Sequence, residues 1–418
     1  MPEAGGPGSP TTLDTPRDGL PAVVQSPDAL AAAITALRAG TGPVALDTER
    51  ASGYRYSQRA YLVQIRREGS GTVLIDPIEC PDLFDVQSAI GDVEWVLHAA
   101  SQDLACLDEL GLRPRALFDT EVAGRLLGYE RVSLGTMLEM HLGVLLAKEH
   151  SAADWSTRPL PESWLRYAAL DVELLIELRD IMAALLSQAG KLDWAHQEFD
   201  AIRRAPAPPP RTDPWRRVSG LHAVPGARAL AEVRSLWEAR DRVARTRDIA
   251  PGRILNDSAI INAVLKQPQT RGELLALPVY SGPRMKRSID TWWKAIESAR
   301  ALPESALPPA VPPRGDGPPQ GRWNDRDPEA ALRLAAARIV LAELAASHSV
   351  QVELLLEPAL VRRIAWHHPA DVEAYAGQAG ARPWQMDLAV PALGDAMRNA
   401  EAIVEAAKPP PVIDDSVA

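Results

Sequence analysis

The chain has 418 residues, with 45 Lys and Arg against 55 Asp and Glu, 37 Pro and two Cys. At roughly 100–200 residues per domain this length predicts several domains, each able to bury a core unaided, and two cysteines exclude a disulfide framework or a four-ligand zinc site. The formal charge of −10 excludes indiscriminate whole-surface binding of nucleic acid; with no apolar run of about 18 residues and no basic leader, no membrane span and a cytoplasmic location are expected.

Residues 1–23, rich in Gly, Pro, Ser and Thr, predict a disordered lead-in. From 24 to 203, strand and helix signals alternate. Ser26-Pro27-Asp28 opens an apolar-periodic helix that runs to Arg38. Pro43–Thr48 reads as a short buried strand, and Tyr61–Ile65 and Thr72–Asp76 as strands joined by a turn at Gly69–Gly71. Trp95–His98 is another buried strand, followed by a helix to Leu110, and helical periodicity dominates from there to Gln188. This order predicts an α/β domain, a mixed sheet with flanking helices. A linker at 204–213 leads to residues 214–301, which carry only helical periodicity. A second linker, 302–322, has seven prolines between Leu302 and Gly321 and favours extended chain. Residues 323–407 are again all-α, and 408–418 form a polar, Pro-rich tail. At an offset of 101 residues Ile254-Leu255 aligns with Leu355-Leu356, Ile260 with Val361 and Pro268 with Pro369, the pattern of a diverged repeat.

Three segments of the first domain hold acids where a core would not want them. In VALDTER, Asp47 and Glu49 stand two apart at a strand end and share one face. Alone, such a pair reads most simply as a strand-terminal turn with solvated acids. In VLHAASQDL, a buried strand ends at His98 and Asp103 enters the first turns of the next helix, where an acid also simply favours the helix dipole. In ESWLRYAALDVELL, Tyr167 and Asp171 share one face of a largely apolar helix. A carboxylate in such surroundings needs a partner: a metal ion, an Arg, or an exposed helix edge. Together, four carboxylates and a Tyr suit two Mg²⁺ or Mn²⁺ ions, which prefer oxygen ligands and activate water against a phosphodiester. The Tyr hydroxyl is placed to orient or deprotonate that water.

The spacing D-T-E, H-x4-D-L and Y-x3-D resembles the three motifs of the DEDD superfamily of 3′→5′ exonucleases, in the subgroup with Tyr in the last motif. The resemblance to ribonuclease D is close, continues through Leu117–Gly128 and Leu145–Leu160, and covers most of residues 24–203. It implies a ribonuclease H-like fold, with Asp47, Glu49, Asp103 and Asp171 as metal ligands and Tyr167 positioning the nucleophilic water. It also implies trimming of RNA 3′ ends, those of tRNA precursors first, with release of nucleoside 5′-monophosphates. Residues 214–301 resemble the HRDC domain of RecQ helicases and ribonuclease D through Leu236-Trp237-Glu238-Ala239-Arg240-Asp241, Ile254-Leu255-Asn256-Asp257 and Glu273-Leu274-Leu275. Residues 323–407 look like a second, weaker HRDC-like bundle.

Other residues carry lesser expectations. Asp119 reads most simply as a helix N-cap, with a ligand role as the alternative. Asp154 reads as an ion-pair partner of Arg158 that buttresses the loop. His98, His141 and His150 lack metal-ligand spacing, and His98 reads as a satisfied core residue. The expected partner is a single-stranded RNA 3′ end, with no obligate protein partner. Arg50, Tyr54, Arg55, Tyr56 and Arg59 follow the D-T-E and suit base stacking and phosphate contact, as do Lys148 and His150 in the loop before Tyr167. Residues 203–256 hold twelve Arg against five acids, with Arg240, Arg242, Arg245, Arg247 and Arg253 clustered near one helix end. That distribution predicts a division of labour in which the first bundle binds RNA and the second packs on the body. A DNA exonuclease and a non-catalytic RNA-binding scaffold are the competing readings. Only contacts to a 2′-hydroxyl would separate RNA from DNA, and a scaffold has no use for four acids that repel phosphate.

Overall fold

A computed structural model describes residues 10–146, 153–207, 209–310 and 320–407. The first domain runs, in chain order, through β1 (Thr11–Leu13), β2 (Val23–Val24), α1 (Pro27–Ala39), β3 (Thr41–Arg50), β4 (Ala60–Glu68), β5 (Gly71–Ile75), α2 (Phe84–Ile90) and β6 (Glu94–Leu97). It continues through α3 (Leu104–Glu109), β7 (Ala116–Asp119), α4 (Thr120–Leu126), α5 (Leu134–Leu142), β8 (Val144–Leu146), α6 (Glu162–Glu173), α7 (Leu175–Gln188) and α8 (Leu192–Arg204).

Local chemistry explains the elements that matter. The Ser26 hydroxyl accepts from the Ala29 N–H, Pro27 sits at the first helical position, and Ala33, Ile34 and Leu37 give α1 its buried stripe. Six strands form one mixed sheet in the order β2-β5-β4-β3-β6-β7, with β3/β4 and β4/β5 antiparallel and the other pairs parallel. Strand alternation splits the sheet between two cores. Leu62 and Leu74 face Ala168 and Ala169 of α6, whereas Val63, Ile65 and Ile75 join α1 and α2 on the other side.

The structure departs from the sequence expectation at three places in this domain. β3 extends past Thr48 to Arg50, so Asp47 and Glu49 lie inside the sheet, paired with Gln64 and Leu62 of β4. β7 is a strand of only four residues, too short for its periodicity to show against the helices around it, yet it closes the sheet edge beside β6. Part of the supposedly disordered lead-in is ordered: β1 pairs in parallel with β8, and Arg17 donates to the buried Glu173 carboxylate at 2.8 Å. Composition could not reveal those two anchors. Residues 1–9 and 408–418 lie outside the described residues.

The remaining described residues are helical. The first bundle comprises α9 (Gly226–Arg247), α10 (Pro251–Ile254), α11 (Asp257–Lys266), α12 (Arg271–Ala276) and α13 (Pro283–Arg300), around a core of its own containing Leu236, Leu255, Ile260 and Trp292. The second comprises α14 (Trp323–Arg326), α15 (Pro328–His348), α16 (Val352–Leu355), α17 (Pro358–His367), α18 (Val372–Gln378), α19 (Pro383–Arg398) and α20 (Ala400–Ala406). At the offset of 101, α10 falls on α16 and α11 on α17, and the left-handed corners Asp248 and Gln267 (φ 47° and 48°) fall on Ser349 and His368 (φ 50° and 44°). Unlike the first bundle, the second shares its core with the α/β domain. Trp384 stacks on Trp194 of α8 with ring centres 4.8 Å apart and donates through Nε1 to Glu198 at 2.8 Å. Among the described residues, no helix is long and apolar enough to cross a membrane.

Candidate active site

Asp47 and Glu49 project from the same face of β3 because strand side chains alternate. α6 packs against β3, β4 and β5 through Ala168 and Ala169, and this contact carries Tyr167 and Asp171, one turn apart, to the same place. One oxygen from each of Asp47, Glu49 and Asp171 lies within 4.8 Å of the others. Asp103 arrives from the turn after β6 and completes one cavity that all four carboxylates line together with Tyr167, Arg50, His98 and Gln102. The five residues singled out in the sequence are thus brought together.

Asp103 is 5% exposed and is set in place by Thr48, which the sequence did not single out, and by Arg50, which it assigned to nucleic-acid contact. The Thr48 hydroxyl donates to Asp103 Oδ1 at 2.7 Å, and Arg50 lies 3.7 Å from the same oxygen. Thr48 was visible as the middle residue of D-T-E, but nothing in the spacing singled it out. Asp119 reaches further. As the expected N-cap of α4 it accepts from Glu121 N at 2.9 Å and Val122 N at 3.2 Å. It also accepts from Ala99 N at 3.1 Å and Ala100 N at 2.8 Å, pinning the turn that delivers Asp103. Ala99 in that turn adopts the left-handed conformation (φ 61°). His98 bonds Thr120 Oγ1 through Nδ1 at 2.9 Å, and burial lowers its pKa to about 4, so the ring is neutral.

Burial holds all four carboxyls above their ordinary range. Burial first, then repulsion from Asp103 and Asp171, holds the Asp47 carboxyl well above the ordinary range. Glu49 is raised likewise by burial and then by Asp47, and Asp103 by burial. Asp171 is raised to about 7, mainly by burial, against the opposing hydrogen bond from the Tyr167 hydroxyl. Burial also raises the Tyr167 phenol, which stays protonated at neutral pH. Crowded anions of this kind are stabilised by a positive ion, and an all-oxygen donor set fits a hard divalent cation.

Residues 21–187 match the 3′-5′ exonuclease family, 229–296 the HRDC domain, and 317–397 the 3′ to 5′ exonuclease C-terminal domain. Ribonuclease D of Acidiphilium cryptum is 30% identical over 354 residues, covering 82% of this chain and 86% of that protein. The chain belongs to the ribonuclease D family. It is a 3′-5′ exoribonuclease. Ribonuclease D of Escherichia coli is 29% identical over 357 residues, covering 82% of this chain and 90% of that one. The E. coli RNase D crystal structure, titled an exoribonuclease involved in structured RNA processing, superposes with a TM-score of 0.67 at 27% identity over 90% of this chain and 98% of that one. A crystal structure of a protein from Bifidobacterium adolescentis superposes with a TM-score of 0.86 at 37% identity, covering 93% of this chain and all of that one. Residues 317–397 match a family other than HRDC, so the comparisons place one HRDC domain in this ribonuclease D-family chain.

The expected nucleic-acid contacts are placed unevenly. Arg50 lines both the carboxylate cavity and an adjoining cleft with Ser52, Gly53 and Tyr54. Arg55 donates to Ser156 Oγ at 2.8 Å. Arg240 is corrected: it is 6% exposed and buried in an ion pair with Asp257 at 2.6 Å, holding its own bundle together. Tyr54, Tyr56, Arg59, Arg245 and Arg253 meet across the boundary between the catalytic domain and the first bundle, with Arg253 4.0 Å over the Tyr54 ring and Arg245 5.6 Å over Tyr56. Arg242 and Arg247 are exposed. Lys148 and His150 lie outside the described residues. The Asp154–Arg158 pair is also corrected. Asp154 accepts from Ser156, and Arg158 instead bridges the buried Asp76, at 2.7 and 2.9 Å, and the Tyr61 carbonyl, at 2.8 Å. The buttress exists, but its acid comes from the end of β5, more than 80 residues away.

Proposed function

We propose that the chain trims 3′ ends of structured RNA, tRNA precursors among them, releasing nucleoside 5′-monophosphates, with two Mg²⁺ or Mn²⁺ ions held by Asp47, Glu49, Asp103 and Asp171. The observation that carries this is the convergence of four carboxylates with raised pKa values on one cavity beside Tyr167. Such cations, when bound, supply charge that offsets the phosphodiester and acidify an attacking water. The protein groups then have separate tasks. Asp47, Glu49 and Asp171 crowd their oxygens at one point, and Thr48 keeps the Asp103 carboxylate turned toward them. Tyr167, protonated and bonded to Asp171, orients the attacking water rather than removing its proton. Arg50 sits where the cavity opens into the neighbouring cleft and offers a cation to the terminal phosphate.

The substrate reading draws on the E. coli relative's role in structured RNA processing. The domain plan belongs to the same proposal: catalytic domain 24–203, HRDC domain 214–301, and a second bundle at 323–407 descended from the same unit. Coincident helix bounds and left-handed corners at the offset of 101 support that descent. In this plan the exposed Arg242 and Arg247 face RNA, while the second bundle completes the core of the catalytic domain.

A 5′-labelled RNA hairpin with a single-stranded 3′ tail tests the proposal, with and without Mg²⁺ or Mn²⁺ and beside a matching DNA hairpin. The expected result is a metal-dependent ladder shortening from the 3′ end, stronger on RNA. Asp171→Asn should abolish it while leaving RNA binding intact. Shortening without metal, or undiminished in Asp171→Asn, refutes the assignment.

A further inference from the structure

The loop between β3 and β4, residues 51–59, leaves the strand that carries Asp47 and Glu49 and forms a wall of the cleft beside Glu49 and Arg50. The first bundle grips five of the loop's last seven residues: Gly53, Tyr54, Tyr56, Ser57 and Arg59. Asp248, in the left-handed conformation at the end of α9, accepts from Ser57 N at 2.8 Å and from the Tyr61 hydroxyl at 3.4 Å, with Arg59 at 3.9 Å. Ala250 N donates to the Tyr54 carbonyl at 2.9 Å, and Arg253 Nε donates to the Gly53 carbonyl at 2.6 Å. The Tyr56 hydroxyl donates to Asp241 at 2.9 Å. Three of these bonds end on the loop's own backbone, so they specify its path and not merely its side chains.

The second bundle uses the matching corner in a matching way. Gln351 N, at the position of Ala250, donates to the Arg125 carbonyl at 3.1 Å, and the carbonyl of Ser349, at the position of Asp248, accepts from Lys191 Nζ at 3.0 Å. One repeated corner therefore anchors each bundle to the catalytic domain. Only the first copy carries a carboxylate at the left-handed residue itself, Asp248 against Ser349, and it grips the loop that walls the cleft beside Glu49 and Arg50.

We propose that Asp248 is a positioning residue for the exonuclease reaction: through the corner 248–253 the first bundle sets the path of loop 51–59, and so the wall against which the RNA 3′ end is placed. A bundle that only added RNA affinity would act on long substrates alone, because a short one cannot reach its exposed face. A bundle that shapes the cleft must act on every substrate. The inference rests on the exonuclease reading of the cavity.

The test compares full-length wild type, Asp248→Ala, Asp248→Asn and Tyr56→Phe on a tailed RNA hairpin and on an RNA trinucleotide. Positioning predicts that Asp248→Ala lowers kcat on the trinucleotide by about tenfold or more, since small misplacements are costly to rate. Asp248→Asn, which keeps an acceptor for Ser57 N, should recover much of the loss, and Tyr56→Phe should give an intermediate one. Hydrogen exchange supplies a readout independent of cleavage: residues 53–59 should exchange faster in Asp248→Ala while the core of α9 does not. Trinucleotide kcat within about twofold of wild type, with only the hairpin KM raised, would overturn the proposal. Unchanged exchange across the loop would overturn it too, whether or not the wild type cleaves either RNA.

Discussion

Replacing Asp119 probes how the fold delivers the Asp103 carboxylate to the candidate site. Its side chain accepts four backbone N–H bonds, two at the start of α4 and two from the turn at Ala99 and Ala100. Losing a helix N-cap costs about 0.5–2 kcal/mol. Each of the two buried donors at Ala99 and Ala100 left without an acceptor costs about 1–3 kcal/mol, so Asp119→Ala should destabilise by roughly 2.5–8 kcal/mol in all. The freed turn should also let Asp103 drift, lowering kcat by about a hundredfold with little change in KM. Asp119→Asn refines the test. Burial raises the Asp119 carboxyl from 3.8 to about 6. Its folded pKa lies above its unfolded one, so its proton-linked stability is fully present below about pH 4 and is lost as pH rises through about 6. The Asn side chain has no such proton. Wild type should therefore gain on Asp119→Asn as pH falls from 7 to 4, by up to about 3 kcal/mol. Thermal melts across that range, with single-turnover rates at neutral pH, decide the matter. Parallel stability profiles, or an Asp119→Ala variant that loses less than about 1 kcal/mol and keeps its kcat, would refute the reasoning.

Two further outcomes follow from the same structure. Asp47, Glu49, Asp103 and Asp171 all have raised pKa values, so without cations their contribution is present at low pH and lost as pH rises through those values, about 7 for Asp171. Mg²⁺ or Mn²⁺ should then raise Tm by several degrees at pH 8 and by little at pH 5, with protons released on binding at pH 7; equal gains at both pH values would contradict the cluster's assignment. Trp384→Ala removes both the stack on Trp194 and the Nε1 donor to Glu198. It should cost about 3–5 kcal/mol in calorimetry and destabilise the catalytic domain along with the second bundle. A small loss confined to the second bundle would contradict their shared core.

Much of the site was legible because its residues fall in short segments whose local geometry is regular. Tyr167 and Asp171 are one helical turn apart, and Asp47 and Glu49 are one strand repeat apart, so each pair shares a face whatever else the chain does. The nucleic-acid contacts were less legible. A cluster of Arg beside aromatic residues has the same composition whether it faces RNA or another domain. Arg245 and Arg253 sit over Tyr56 and Tyr54, and Arg240 is buried against Asp257. The lead-in misled in the opposite direction: its composition is that of a free segment, yet Arg17 finds the buried Glu173 156 residues away.

By itself, then, the sequence determined the chemistry. Asp47, Glu49, Asp171 and Tyr167 stand at spacings that only need a strand and a helix to present them, apolar periodicity supplies both, and Asp103 follows the buried strand that ends at His98. Tertiary structure alone decided which groups hold those acids in place. The Asp119 bridge to the turn before Asp103, the Arg158 clamp on Asp76 and the Asp248 grip on loop 51–59 each join residues about 20 to 190 positions apart. Such pairs leave no periodic trace in the chain. They form when the sheet and bundles pack, because a buried carboxylate must then find its donors wherever the fold has brought them.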